Sequence, residues 1–359
     1  MPMWVADMDF RTPDFIMDAL RHRCEHEVLG YAWPQDSYWQ TMCHWLKNHY
    51  CLDCKREELH FIPGIVAGIS FVLQAMTQPG DGIMVTTPVY PPFLNLPQNG
   101  GRRLVCSPLK IVDGRFAIDF EDLEWRAHQC QWLILSNPHN PGGTVWTKEE
   151  LAQVADICLR KGVLVISDEI HADLTYPQFR HTSFATVSEA AEHNSITFFA
   201  PSKTFNMAGL QFSNIIIRDE ATRDEFKAAD KIGGFVNPLS LVGQKAAYDV
   251  GGRWHEEMKT YLDGNFHFLK SFLEENLPEA VMEIPEATYL AWVDLSAYFD
   301  REDDLPSFFA YKAGVLLEGG DALFVGNANR FIRLNLAMPR SIIQTGLERM
   351  RDAILAKNA

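Results

Sequence analysis

Two polar residues stand at the ends of apolar runs, where burial changes what their side chains can do. Lys203 follows Ile196-Thr197-Phe198-Phe199-Ala200, in the segment Ser202-Lys203-Thr204-Phe205-Asn206. A lysine against a buried strand end loses hydration, so its pKa falls and the neutral amine becomes a nucleophile. A lone lysine after a strand is more often a solvated loop residue, and the sharper reading rests on its companions. Asp168 closes Val163-Leu164-Val165-Ile166-Ser167. A carboxylate in that place needs a cationic or strongly hydrogen-bonding partner. A pyridinium nitrogen meets the need, and a cap on a following helix is the plainer alternative. His171, a few residues further on, can reach the same ligand and hydrogen-bond a phenolic oxygen.

Other residues extend the pattern. Asn140 lies in Asn137-Pro138-His139-Asn140-Pro141-Gly142-Gly143, a composition that demands a defined turn. The segment is either a plain loop or a rigid mount for an amide facing a ligand oxygen. Tyr90, in Pro88-Val89-Tyr90-Pro91-Pro92, has little backbone freedom, and a fixed ring can stack on a planar cofactor. Gly64-Ile65-Val66-Ala67-Gly68 precedes a helical run, whose first amides and dipole favour a phosphate. Taken alone, that glycine pair is a weak signal.

The elements that must position these groups repeat one arrangement. Gly82–Thr87, Trp132–Ser136, Val163–Ser167 and Ile196–Ala200 are short apolar runs, each followed by a polar turn. Such runs read as strands buried on both faces of a mostly parallel sheet. Thr147 and Glu150 form a capping-box signature ahead of a helical pattern between two of them, which gives a strand-helix-strand unit. The fold class is therefore α/β. Ligands in such sheets bind beyond the carboxyl ends of the strands, where the unusual residues lie. After about residue 245, a helical pattern through Trp254–Leu277, strand-like pieces at Tyr289–Leu295 and Phe331–Leu336, and a closing helix read as a smaller α+β domain. The expected division is a large domain over 27–245 and a small domain built from 1–26 and 246–359.

The chain has 359 residues, 47% hydrophobic and 22% charged, enough for a sizeable folded core. Its formal net charge of −15 argues against a nucleic-acid partner. No apolar stretch approaches the roughly 20 residues that span a bilayer, and the first residues have no basic, signal-like pattern. The expectation is a cytoplasmic protein with no membrane partner. Seven scattered cysteines suit reduced thiols. Cys51-Leu52-Asp53-Cys54 is a CxxC without a second ligand pair, so surface thiols are preferred to metal or redox chemistry and no metal site is expected.

Together, Lys203 in Ser-Lys-Thr-Phe-Asn, Asp168 thirty-five residues before it, and Asn140 in Asn-Pro-Gly-Gly resemble the class I/II aminotransferase superfamily. Five segments resemble more narrowly the MalY/PatB-type C–S β-lyases, the cystathionine β-lyases: Trp4–Phe10, Asn137–Gly143, Asp168–His171, Ala200–Gln211 and Phe331–Ala337. The resemblance implies the fold type I architecture of pyridoxal-5′-phosphate enzymes, similar to aspartate aminotransferase. It makes Lys203 the lysine that binds the cofactor covalently and moves the Cα proton, and Asp168 the partner of the ring nitrogen. Asn140 and His171 contact the O3′ side, Tyr90 stacks on the ring, and Tyr90 joins Lys203 and Asp168 as catalytic. The backbone at Ile65 and Val66 and the Ser202 hydroxyl hold the phosphate. Tyr31 reaches the phosphate of a neighbouring subunit, which implies a homodimer. Arg333 clamps the α-carboxylate of an amino-acid substrate, with Ala6 and Asn140 beside it; an arginine inside Phe-Ile-Arg-Leu also needs a buried anion.

Ala200, Gln211 and His171 stand where many aminotransferases place Ser, Arg and Tyr, which matches the lyase branch. The implied activity is β-elimination from an S-substituted cysteine such as cystathionine, giving a thiol, pyruvate and ammonia. The rivals are an aminotransferase on the same cofactor and a non-catalytic regulatory protein that binds it. The chain shows no helix-turn-helix extension that would favour the last.

Overall fold

The computed structural model describes residues 1–229, 236–326 and 328–357. The strands in chain order begin with β1 (Leu59–Ile62), β2 (Gly82–Thr87), β3 (Arg103–Pro108) and a small hairpin of β4 (Lys110–Val112) and β5 (Arg115–Ala117). They continue with β6 (Trp132–Ser136), β7 (Leu164–Asp168), β8 (Ser195–Phe199) and β9 (Ser213–Ile217). The last three are β10 (Leu290–Asp294), β11 (Glu318–Gly319) and β12 (Phe331–Asn335).

A seven-stranded sheet in the order β1-β9-β8-β7-β6-β2-β3 forms the centre. Neighbours pair in parallel except β9, which runs antiparallel to both β1 and β8. Every residue of β2, β6, β8 and β9 is buried, as continuous apolar runs require when helices cover both faces. The helix Lys148–Lys161 joins β6 to β7. Thr147 and Glu150 make the reciprocal capping box at its start, and Gly162, at φ 67°, ends it in the left-handed region. The α/β expectation holds. The bounds of β7 and β8 each shift by one residue, and the first shift is useful: β7 runs past Ser167 and takes in Asp168, whose Cα partners are Ser136 and Phe198. The carboxyl is therefore mounted on the sheet itself.

A second, antiparallel sheet, β10-β12-β11, packs with the helices Gly252–Asn276 and Arg340–Lys357. Leu262, Phe266, Leu269, Val293, Ile332, Leu334, Ile343 and Leu347 build its core, and Met3, Ala6 and Met8 from the start of the chain join it. The N-terminal segment is stitched along this unit by Met3 N–H to Leu316 O (2.8 Å), Asn335 N–H to Met3 O (2.9 Å) and Asp9 N–H to Ala337 O (2.8 Å). Phe10 still packs against that core, whereas Phe15, Ile16 and Leu20 pack with Trp39, Trp45, Phe205 and Tyr248 beside the large sheet. Core membership thus changes between Phe10 and Phe15, ahead of the expected boundary at residue 26.

Cys54 lies 3.6 Å from Cys43, not paired with Cys51 of the CxxC, and all seven cysteines are free thiols.

Candidate active site

A cavity of about 660 Å³ opens at the carboxyl ends of the parallel strands. Its walls include Ala6, Gly64, Ile65, Val66, Tyr90, Ser136, Asn140, Asp168, His171, Ser202, Lys203 and Gln211. Most of the residues singled out in the sequence therefore meet in one place, although they come from chain segments far apart.

Lys203 sits in the turn after β8. Its Nζ donates to the Ala6 carbonyl at 2.7 Å and stands 3.9 Å from Asp7 Oδ1. Burial lowers its pKa, a change Asp7 opposes and Arg333 reinforces. The amine is thus biased toward the neutral, nucleophilic form. Asp168 is 6% exposed, and among the described residues its carboxylate accepts one hydrogen bond, from Ile170 N–H at 3.2 Å. Desolvation pushes its carboxyl up to about 7, against the pull of the Ile170 amide. An acid so placed is short of a cation. Its neighbour Glu169 is satisfied separately, by Ser167 Oγ (2.9 Å), Phe184 N–H (2.8 Å) and His181 Nε2 (3.0 Å). His171 is buried, and desolvation, with Lys203 and Arg333 adding to it, lowers its pKa to about 3. The imidazole is neutral at ordinary pH, and its Nδ1 is a buried polar atom without a partner among the described residues.

The Asn140 loop is held from within. Asn140 N–H donates to Ser136 Oγ (3.1 Å), Trp146 Nε1 donates to Ser136 O (2.9 Å), and Gly143 N–H donates to His139 O (2.8 Å). Both glycines are required. A Cβ on Gly142 would lie 2.2 Å from the Phe116 ring, and Gly143 has φ +69° with Pro285 Cβ at 2.4 Å from the same position. Gly64, at φ 89°, precedes the helix Ile65–Met76 and offers no side chain to cap it. The first amides of that helix border the cavity, as an anion site requires. Tyr90 is half-buried at the start of the helix Pro91–Asn99, with its ring 5.6 Å from that of Phe93.

Two expected residues lie elsewhere. Tyr31 is 87% exposed and does not line this chain's cavity. Arg333, on β12, is 2% exposed and also lies behind the lining. Its Nη1 donates to Asn140 Oδ1 (3.0 Å), and its Nη2 donates to Trp4 O (3.2 Å) and to Glu318 Oε2. The buried anion that Arg333 was expected to need belongs to the chain itself.

The sequence reading missed the residues that hold the N-terminal segment over Lys203. Asn206 donates to Met8 O (2.8 Å) and Phe10 O (2.7 Å) and accepts from Met8 N–H (3.1 Å). Asn335 donates to Val5 O (2.6 Å) and Asp7 O (2.5 Å). Tyr289 OH donates to Ala6 O at 2.7 Å, so that carbonyl serves both the tyrosine and the lysine. A cue existed for Asn206, an amide three residues after the lysine inside a mostly apolar context, but its partners are nearly two hundred residues away.

The residues present fit pyridoxal phosphate. Among the described residues Asp168 has no ion-pair partner and His171 Nδ1 has no hydrogen-bond partner, Lys203 has a lowered pKa, and an uncapped helix start faces the same cavity.

Comparison with known proteins agrees with this chemistry. The family described as aminotransferase class I and II matches residues 5–350. Cystathionine beta-lyase PatB of Bacillus subtilis is 41% identical, over 99% of this chain and 92% of its own. Protein MalY of Escherichia coli is 31% identical over the same shares. Among solved structures, a PLP-bound C–S lyase from Staphylococcus hominis superposes with a TM-score of 0.94 at 40% identity, covering 98% of this chain and 93% of that one. Cystalysin from Treponema denticola, which contains pyridoxal 5′-phosphate, gives 0.95 at 34% identity, covering 99% and 91%. A cavity built this way, on a chain matched over nearly its whole length, makes this protein a member of the class I and II aminotransferase family, in its MalY/PatB-type C–S lyase branch.

Proposed function

We propose that the chain is a pyridoxal-phosphate-dependent C–S β-lyase of the cystathionine β-lyase type, which converts an S-substituted cysteine and water to a thiol, pyruvate and ammonia. The observation that carries the reading is the convergence of Lys203, Asp168, His171, Asn140 and a helix start on one cavity. The choice of elimination rests on the relatives named as lyases and on His171 and Gln211 at the positions that depart from the aminotransferase pattern.

When bound, pyridoxal phosphate supplies an aldehyde that takes amines and a pyridine ring that withdraws electrons. The chain's residues do the rest. The amides at Ile65 and Val66, with the Ser202 hydroxyl, hold the phosphate. Asp168 would keep a proton on the ring nitrogen, and that cation would in turn partner its carboxyl. His171 and Asn140 would contact the ring oxygen, and Tyr90 would pack on the ring. Lys203 would hold the cofactor through Nζ, and the same amine is placed to take the proton from the substrate Cα, the thiol leaving from Cβ. Ala6 O accepts from the Lys203 amine when that amine is not joined to the cofactor. Arg333 takes the substrate carboxylate.

The assembly in this reading is a homodimer, in which Tyr31 completes the partner subunit's phosphate site. Val28, Leu29, Tyr31 and Trp33 support it, a short run of large exposed hydrophobic side chains. Cytoplasmic residence is supported by seven free thiols. Among the described residues no helix is long and apolar enough to cross a membrane.

The test supplies L-cystathionine to the cofactor-loaded enzyme, with and without a 2-oxo acid. Pyruvate and free thiol forming in equal amounts, independent of the oxo acid, is the expected result. Amine transfer far faster than elimination would make the protein an aminotransferase.

A further inference from the structure

Arg333 and Glu318 stand directly opposite each other across β12 and β11. The sheet register itself therefore delivers the carboxylate to the guanidinium, and no flexible loop is involved. Arg333 is 2% exposed and its side-chain partner Glu318 is largely buried, which makes this an ion pair inside the protein.

The pair bears directly on how a substrate carboxylate can be held. A guanidinium presents two edges with parallel N–H donors, Nη1 with Nη2 and Nε with Nη2. Both edges use Nη2, and both Nη2 donors are occupied, one by Glu318 Oε2 and one by Trp4 O. Nη1 gives one hydrogen to Asn140 Oδ1, and among the described residues buried Nε has no partner. A two-point grip on a carboxylate thus requires one occupant of Nη2 to leave. Trp4 O is a neutral dipole that tolerates an anion nearby, whereas Glu318 and an incoming carboxylate carry like charge in a dry site.

We infer that Glu318 is a place-holding counter-ion, which keeps Arg333 charged and oriented in the empty site and is displaced from Nη2 by the α-carboxylate of the substrate. The inference rests on the reading of Arg333 as the carboxylate clamp and adds a specificity-determining residue to it. The exchange sets a threshold: a ligand must bring a full carboxylate with correct geometry to win Nη2, and a weaker acceptor leaves the internal pair closed. Glu318 thus costs affinity for a ligand that brings the acid group, and costs a ligand without that group less.

The variant Glu318→Gln keeps an oxygen acceptor of the same reach for Nη2 while removing the competing charge. The test titrates cofactor-loaded wild type and E318Q with L-alanine and with L-alaninamide, by calorimetry. The ratio of the two dissociation constants isolates the carboxylate. Wild type should prefer alanine, and E318Q should widen that preference by about tenfold through tighter alanine binding. Wild type showing no preference would remove the clamp reading and this inference with it. A preference present in wild type but unchanged or narrowed in E318Q would overturn the inference alone. A crystal structure of the loaded wild type with L-alanine decides the matter without a variant: Glu318 should be off Nη2, and Glu318 still bound there beside the ligand would contradict the exchange.

Discussion

Lys203 Nζ and the Ala6 carbonyl oxygen, 2.7 Å apart, join positions separated by 197 residues. The bond ties the strand end that carries the nucleophile to the segment laid along the smaller sheet. Any shift of that segment changes the surroundings of the amine, so the site is only as ordered as the residues that fix Val5 to Phe10.

Asn206 is the strongest of those fixings, with three hydrogen bonds to Met8 and Phe10 and a backbone φ of 53°. Asn206→Ala should destabilise the protein by about 2–4 kcal/mol, from the lost bonds and from the left-handed backbone that alanine resists. Amide hydrogen exchange across residues 6–10 should quicken, and kcat/KM should fall. Unchanged exchange there would show that the asparagine does not anchor the segment.

Much of this was legible in the sequence, for a physical reason. Apolar runs of fixed length such as Trp132–Ser136 can only be buried strands, and an Asp or Lys at the end of such a run advertises its own cost. The Asn140 turn announced itself by its prolines and glycines. What stayed hidden depends on long-range placement. Tyr289 reads as the first residue of a strand, and nothing local says its hydroxyl meets Ala6. Glu318 did carry a signal, a carboxylate after Val315-Leu316-Leu317, but the identity of its partner comes from strand register, which a single chain does not spell out.

The Asp168 carboxyl gives a pH test. Burial raises it to about 7, above the roughly 3.9 of an unfolded chain. Between these values the folded protein holds the extra proton, so the group's contribution to stability falls as pH rises from about 4 to about 7 and stays low above that. Cofactor-free Asp168→Asn should therefore be more stable than wild type at pH 8, on the order of 2–4 kcal/mol, and lose that advantage near pH 4. Asp173, pushed up to about 6 by its own burial, acts in both proteins and cancels from the difference. Urea unfolding at the two pH values measures it. With cofactor bound the order should reverse, because the ring nitrogen then needs the carboxylate.

Arg333→Lys keeps the charge and loses the planar fork. KM for amino-acid substrates should rise about 10–100-fold with a smaller change in kcat. Steady-state kinetics with a single S-substituted cysteine is sufficient; a flat KM would place the carboxylate elsewhere.

Two glycines with similar backbone angles separate strain from crowding. Gly162, at φ +67°, has open space around a new Cβ, whereas Gly143, at φ +69°, would meet Pro285 Cβ at 2.4 Å and Ala287 O at 2.8 Å. Gly162→Ala should cost about 1 kcal/mol and leave activity alone. Gly143→Ala should cost roughly 3 kcal/mol and weaken cofactor binding, because it displaces the loop that carries Asn140. Equal losses in the two variants would mean that the Asn140 loop is not packed as described.

The central claim is the role of Lys203, and the most direct measurement is borohydride reduction of the cofactor-loaded protein followed by peptide mapping. The expected result is a yellow protein whose colour is lost on reduction, with a single pyridoxyl group fixed to Lys203, and no such label in Lys203→Ala. A label on another lysine, or none after loading, would contradict it.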